Sequence, residues 1–303
     1  MSIEASGRPR EIAPGIHLLG ICHVYQNDVR FPFVNGKPIH LHLSNYVIKG
    51  TEKTVLVDTG EPAGWQIVSE QLDQILGNRK LDYLFSTHPE FLHSANLARI
   101  MQKYPECTLV GDIRDYDMYF PGLTDRFAPI PLRSVLDLGG GYEFVILEAP
   151  IKDLPSTTWG YEKKNKVLFS ADAFQFAHVH ASIPGLDWTE FHTEQECSMT
   201  TEELPGGVGQ VKDNAAFIFR AALYWLRYID PQPLFDRVEA LFKEFPPRII
   251  CPAHGHVIMN PHDIVPIIEA EMESISGTSG TSKDRPLTEA DTKAAAGHGA
   301  QQG

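Results

Sequence analysis

The chain has 303 residues, 43% of them hydrophobic and 21% charged, with a formal net charge of −13. That balance is ordinary for a globular protein, and the acidic surplus excludes nucleic acid as the main partner, because a phosphate backbone is met by a basic surface. No run is apolar for long enough to span a bilayer and the polar N-terminus shows no secretory leader, so the chain reads as cytoplasmic, with no membrane partner.

From the N-terminus, the pattern first predicts adjacent strands over 43–47 and 54–57. The second runs into an acidic turn, Val55-Leu56-Val57-Asp58-Thr59-Gly60. Helical spacing of Trp65, Val68, Leu72 and Leu76 predicts a helix over 64–76. Residues 81–86 read as a strand that ends in Thr87-His88-Pro89-Glu90-Phe91-Leu92-His93. Two imidazoles and a carboxylate on one strand-end loop suit a metal site better than a packed core. A helix over 95–103 follows, then strands over 107–110, 143–148, 167–170 and 248–251, with Leu138-Gly139-Gly140-Gly141 as a turn. Residues 213–229 predict a helix that is apolar nearly all round, either a core element or part of a subunit interface. A more amphipathic helix over 233–245 has its proline in the first turn. Strands mixed with helices around one core indicate layered α/β architecture. A single domain over 1–274 is expected, followed by a disordered tail over 275–303, which is rich in Gly, Ser, Thr, Ala and Lys and lacks aromatics.

Two more strand ends carry candidate ligands: Phe169-Ser170-Ala171-Asp172-Ala173 and Cys251-Pro252-Ala253-His254-Gly255-His256. Taken singly, each has a plainer reading as a turn aspartate or a solvated histidine. His178 and His180 form an H-x-H pair whose rings share one face in an extended segment; they are either solvated or contact the site. His23, His40, His42 and His192 carry weaker signals, and His256 is expected to face away from His254. Trp159, Tyr161 and Trp188 are either pocket-lining or core aromatics. Cys22, Cys107, Cys197 and Cys251 are scattered and form no C-x-x-C pair, so they read as reduced, mostly buried thiols rather than a thiolate metal site.

In their order and punctuation these strand ends, with Asn45-Tyr46-Val47-Ile48 before them, resemble the metallo-β-lactamase fold superfamily over about residues 12–270. The resemblance implies an αββα sandwich, two mixed β-sheets flanked by helices, with metals at one edge. Glu90 stands where most hydrolases of the superfamily carry a second His, and in this the chain resembles the flavodiiron, or oxygen-binding diiron, branch. That likeness implies one or two non-heme irons and a diatomic gas, O2 or NO, or another small molecule as ligand. Ligation rich in carboxylates suits iron or manganese, and zinc is the alternative.

Carried over residue by residue, the resemblance implies His88, Glu90 and Asp153 at one half-site, His93 and His254 at the other, and Asp172 bridging them. Asp58 takes a supporting role on the ligand loop. The chain departs from the family pattern twice: Leu92 replaces an Asp, and Asp153, ahead of Pro155, stands in place of a His. His93, Asp172 and His254 are also the two-histidine, one-carboxylate set of mononuclear Fe(II) sites.

Flavodiiron enzymes normally carry a flavin-binding domain after this one, and no flavin domain fits here, so electrons are expected from a separate donor protein or from the substrate. The expected function is an iron-dependent oxidoreductase, or a protein binding O2 or NO. The alternatives are a metal-dependent hydrolase, weakened by Leu92, and a non-catalytic sensor or scaffold. A homodimer is expected from the 213–229 helix and the resemblance.

Overall fold

Alternation of buried side chains sorts the chain into layers in the computed structural model, which describes residues 2–5, 7–25, 39–179, 196–204 and 207–277. The first sheet is built from β1 (Ser2–Glu4), β2 (Arg10–Ala13), β3 (Ile16–Tyr25), β4 (Ile39–Lys49) and β5 (Thr54–Val57). After helix α1 (Trp65–Leu76) it continues with β6 (Tyr83–Phe85), and after α2 (Phe91–Ser94) and α3 (Leu97–Lys103) with β7 (Thr108–Gly111). The short helix α4 (Tyr116–Tyr119) precedes β8 (Phe127–Pro129) at its edge. The second sheet contains β9 (Val135–Asp137), β10 (Glu143–Glu148), β11 (Thr158–Glu162) and β12 (Val167–Phe169). The chain then returns to the first sheet through β13 (His178–Val179), forms α5 (Val208–Ala222) and α6 (Gln232–Glu244), completes the second sheet with β14 (Ile249–Cys251) and ends in α7 (Pro261–Ile275).

Among the described residues the first sheet has nine strands, with the main order β1-β3-β4-β5-β6-β7-β8, and the second has five, in the order β14-β12-β11-β10-β9. Both are mixed: β5 to β8 pair in parallel and β12 pairs in parallel with β14, while the other pairs are antiparallel. Period-two alternation decides which side chains face which layer. Tyr46, Val55, Val57 and Phe85 meet Phe144, Ile146, Phe169 and Ile249 between the sheets. Their neighbours Val47, Leu56 and Leu84 face α1 and α3, through Val68, Leu72, Leu97 and Ile100. On the second sheet, Val145, Leu147, Tyr161 and Leu168 face α5, α6 and α7. This is the expected αββα sandwich, and each fully buried Leu or Phe in it contributes about 1.5–3 kcal/mol.

The structure corrects the expected helices in two places. The helix expected over 213–229 starts earlier, at Val208, and ends at Ala222, where Leu223 leaves helical geometry and a 3₁₀ turn covers Tyr224–Tyr228. Val211, Ala215, Ile218 and Phe219 are buried on one face of α5, at core-facing helical spacing. The break buries Leu223 and Leu226 and leaves Tyr224 and Tyr228 exposed, and the Arg227 guanidinium donates to the carbonyls of Tyr224 and Arg220. Helix α7 was not expected; Pro261 suits its first turn, but Pro266 in its interior removes a backbone donor, which hides the helix from a reading by pattern. It extends to Ile275, and residues 278–303 of the expected tail lie outside the described residues. Among the described residues no helix is long and apolar enough to cross a membrane.

Candidate metal centre

The ends of β5, β6, β11, β12 and β14 meet at one rim of the sandwich, and the loops there carry the six residues read as ligands. Asp58 follows β5 with φ 59°, and its backbone N–H donates to Phe85 O, which ties β5 to the end of β6. From there Asp58 Oδ1 accepts the backbone N–H of Thr87 at 2.7 Å, and Oδ2 accepts Nδ1 of His93 at 2.9 Å. A non-glycine residue held in left-handed geometry costs about 1–2 kcal/mol, and the three hydrogen-bonded groups around Asp58 offset that cost. Ala171 and Phe174, flanking Asp172, also have positive φ, at 50° and 59°.

Each histidine of the cluster has its outer nitrogen held and its Nε2 aimed inward. His93 Nδ1 faces Asp58, His88 Nδ1 faces Thr87 Oγ1 at 3.1 Å, and His254 Nδ1 donates to His42 O at 2.7 Å. Such outer partners fix the tautomer that presents an Nε2 lone pair. His88 Nε2 lies 3.4 Å from Glu90, 3.3 Å from Asp153 and 3.4 Å from Asp172. His93 Nε2 lies 3.6 Å from Glu90 and 3.4 Å from Asp172, and His254 Nε2 lies 3.2 Å from Asp172. The structure therefore brings together all six: His88, Glu90, His93, Asp153, Asp172 and His254. Asp153 is oriented by its own loop, where Oδ1 accepts from the Leu154 N–H and the Thr157 hydroxyl. Glu90 stands at the mouth with its side chain 45% exposed, while His88, His93 and Asp172 are buried.

These separations are longer than charge-assisted hydrogen bonds of about 2.7–2.9 Å, but they match the edges between ligands of one ion at about 3–3.5 Å. Among the described residues, buried His93 Nε2 and Asp172 Oδ1 make no well-aligned hydrogen bond, although they face each other at 3.4 Å. Orphaned acceptors on converging donors fit a cation, and the donor set of three imidazoles and three carboxylates suits iron or manganese. In the protein without metal, the buried carboxylates favour the charged form of His88 and His93 while Asp172 stays ionised. Burial and His93 oppose the charge on His88, but Asp153, Glu90 and Asp172 outweigh them and push it up to about 9. Burial likewise opposes the charge on His93, and Asp172 and Asp58 hold it well above the usual imidazole range. Burial works against ionised Asp172, yet His93, His254 and His88 hold it well below the usual carboxylate range.

Other sequence readings resolve differently. Leu92 is partly buried and packs against the helix-layer core of the first sheet, so the departure at that position is a packing side chain. Trp159 and Tyr161 belong to the core beneath α5–α7, which decides for core aromatics over pocket lining. His178 does not join the six; its Nε2 lies 3.1 Å from Glu196 and its Nδ1 3.7 Å from Cys197, in a separate cluster. His180, Trp188 and His192 lie outside the described residues. Reading the cysteines by spacing missed that cluster, because the 3₁₀ turn at Glu196–Ser198 folds back onto β3 and brings Cys197 Sγ within 3.8 Å of Cys22 Sγ. The signal that could have found it is His40-Leu41-His42, an H-x-H within a strand.

Residues 41–255 match the sequence model of a family described as ODP family beta lactamase. A putative diflavin flavoprotein A 2 from Nostoc sp. is 30% identical over 150 residues, which cover 48% of this chain and 25% of that protein. An anaerobic nitric oxide reductase flavorubredoxin from Aliivibrio fischeri is 30% identical over 136 residues, 43% of this chain and 27% of its own length. The solved structure of rubredoxin oxygen:oxidoreductase from Desulfovibrio gigas aligns with a TM-score of 0.66 at 18% identity, over 88% of this chain and 61% of that one. That structural likeness concerns the fold alone, and the matched segments span about a quarter of the length of the two relatives.

Proposed function

The chain belongs to the ODP beta-lactamase family, and from that premise we propose that it is a non-heme iron protein that binds or reduces O2 or NO, with electrons from a separate donor. The observation that carries this reading is the convergence of three imidazole Nε2 atoms on Glu90, Asp153 and Asp172. His88, Glu90 and Asp153 would hold one iron, His93 and His254 another, with Asp172 between them. Bound iron supplies open positions for a diatomic ligand and one-electron chemistry. The chain's own contribution is orientation: Asp58, Thr87 and the His42 carbonyl hold the three imidazoles in the tautomer that leaves Nε2 available. Glu90, the most exposed of the charged groups, sits where a small ligand enters. The same reading takes the protein as a cytoplasmic homodimer, which sedimentation analysis tests.

A hydrolase reading is weaker, because the position that carries an aspartate in the superfamily's hydrolases is Leu92, packed against the helix layer. Metal analysis of protein purified without added metal, followed by EPR of the reduced protein with nitric oxide, tests the proposal. Iron at one or two per chain with an iron–nitrosyl signal is the expected result. Zinc alone, no metal, or iron silent toward nitric oxide would overturn it.

A further inference from the structure

A second cluster of ligating side chains lies on the inner face of the first sheet. In the register of β3 with β4, Cys22 is opposite His42 and Val24 is opposite His40; in that of β13 with β4, His178 is opposite His40. Directly opposed residues share a face, and so do residues two apart on a strand, so Cys22, His40, His42 and His178 all project from the same side of three neighbouring strands. A 3₁₀ turn at Glu196–Ser198 supplies Cys197, and every one of these side chains is buried. His40 Nδ1 lies 3.3 Å from both sulfurs, which are 3.8 Å apart, and His178 Nδ1 lies 3.7 Å from Cys197 Sγ.

A tetrahedral ion with metal–sulfur bonds of about 2.3 Å and metal–nitrogen bonds of about 2.0–2.1 Å separates its ligand atoms by about 3.8 Å for two sulfurs and about 3.5 Å for sulfur and nitrogen. The distances among Cys22, His40 and Cys197 are close to those edges, and His178 lies at such a distance from Cys197. The surrounding groups fit as well. Glu196 Oε1 lies 3.1 Å from His178 Nε2, the carboxylate–imidazole arrangement that directs Nδ1 toward a cation. The buried Arg8 guanidinium donates to the carbonyls of Ile21, Leu43 and Cys197, beside both thiols. A divalent ion that displaces the two thiol protons to solvent leaves the net charge of this buried group unchanged, so its entry needs no further counter-ion.

We propose that Cys22, His40 and Cys197 form a buried structural thiolate–imidazole site for zinc, with His178 beside Cys197, separate from the carboxylate-rich cluster. Its consequence reaches the first site through β4. His42 Nδ1 pairs with Gly255 O at 3.0 Å, and the His42 carbonyl holds His254 Nδ1 at 2.7 Å. The zinc site thereby anchors the strand that positions His254.

Cobalt(II) reconstitution of the reduced, metal-free full chain tests the site, since among the described residues only this cluster brings two thiols close enough together to share an ion. The expected result is a thiolate-to-cobalt charge-transfer band with tetrahedral d–d absorption. Cys22→Ser and Cys197→Ser should lose it, and His88→Ala, which alters the other cluster alone, should keep it. Cobalt binding without the charge-transfer band, or a band that survives in Cys22→Ser, would overturn the proposal. Where a serine variant does not fold, alkylation of the wild-type chain gives the second readout. Zinc should slow modification of Cys22 and Cys197 at least about tenfold, and equal rates with and without zinc reject the site.

Discussion

Asp58→Asn is the substitution that tests how this fold presents its imidazoles. The Asp58 carboxylate faces Thr87 N at 2.7 Å, the Thr87 hydroxyl at 3.0 Å and His93 Nδ1 at 2.9 Å. An asparagine keeps the shape but has one acceptor oxygen and one donor amide. With its oxygen held by Thr87 N, its amide N–H points at His93 Nδ1. The imidazole must then accept at Nδ1 and carry its proton on Nε2, the atom that faces Asp172 at 3.4 Å. Loss of such an outer partner lowers metal affinity about 10–100-fold, or about 1.4–2.7 kcal/mol. Replacing hydrogen bonds to a charged group lowers folding stability by about 1–3 kcal/mol as well. Competition with a chromophoric chelator measures the iron affinity, and urea unfolding measures the stability separately. An asparagine variant that loses stability yet binds iron as tightly as the wild type would refute the tautomer argument and leave Asp58 a purely structural residue.

Other substitutions probe the loops and the helix layer. Gly255 has φ 105°, and a Cβ there would lie 2.8 Å from Phe176 O, so Gly255→Ala should destabilise the chain by about 2–4 kcal/mol and weaken metal binding at the proposed site containing His254, read by thermal unfolding and metal content. Leu92→Asp places a charge at the partly buried margin of the helix-layer core, where it should lower stability by about 1–2 kcal/mol in urea unfolding without raising iron stoichiometry. Burial, with Glu239 nearby, pushes the Glu269 carboxyl up to about 7. Because its folded pKa is raised above the unfolded value, its stabilising effect is complete below about pH 4.5 and is lost as pH rises through about 7. Glu269→Gln should therefore change little at pH 5 and, allowing for solvent screening of this half-exposed group, raise stability by about 1 kcal/mol at pH 8; equal gains at both pH values would show that charge is not the cause.

Much of the first cluster was legible because its candidate ligands follow strand ends. His88, Glu90 and His93 fall within one six-residue stretch after β6, and Asp172 and His254 are each marked by a strand that runs into a turn. Strands that end at one rim deliver their loops to one place, so local punctuation was enough to assemble most of the cluster. Asp153 needed more, because it was placed by likeness to a family pattern, and only the structure brings it to 3.3 Å from His88.

The sequence by itself determined the layers, through the alternation of Val55, Leu56 and Val57 and the helical spacing of Val68 and Leu72, since those periods are properties of local backbone geometry. It did not reveal α7, whose Pro266 contradicts local propensity and is tolerated because Ile264, Val265, Ile268 and Met272 bury one face of the helix. Only tertiary structure decided the second cluster. Cys22 and Cys197 are 175 positions apart, and His42 meets Gly255 across 213. The common face of Cys22, His40, His42 and His178 depends on the register of β3, β4 and β13, and a shift of one residue in that register would turn a strand's side chains to the opposite face; the chain's return over the sheet then brings Cys197 and Gly255 to them.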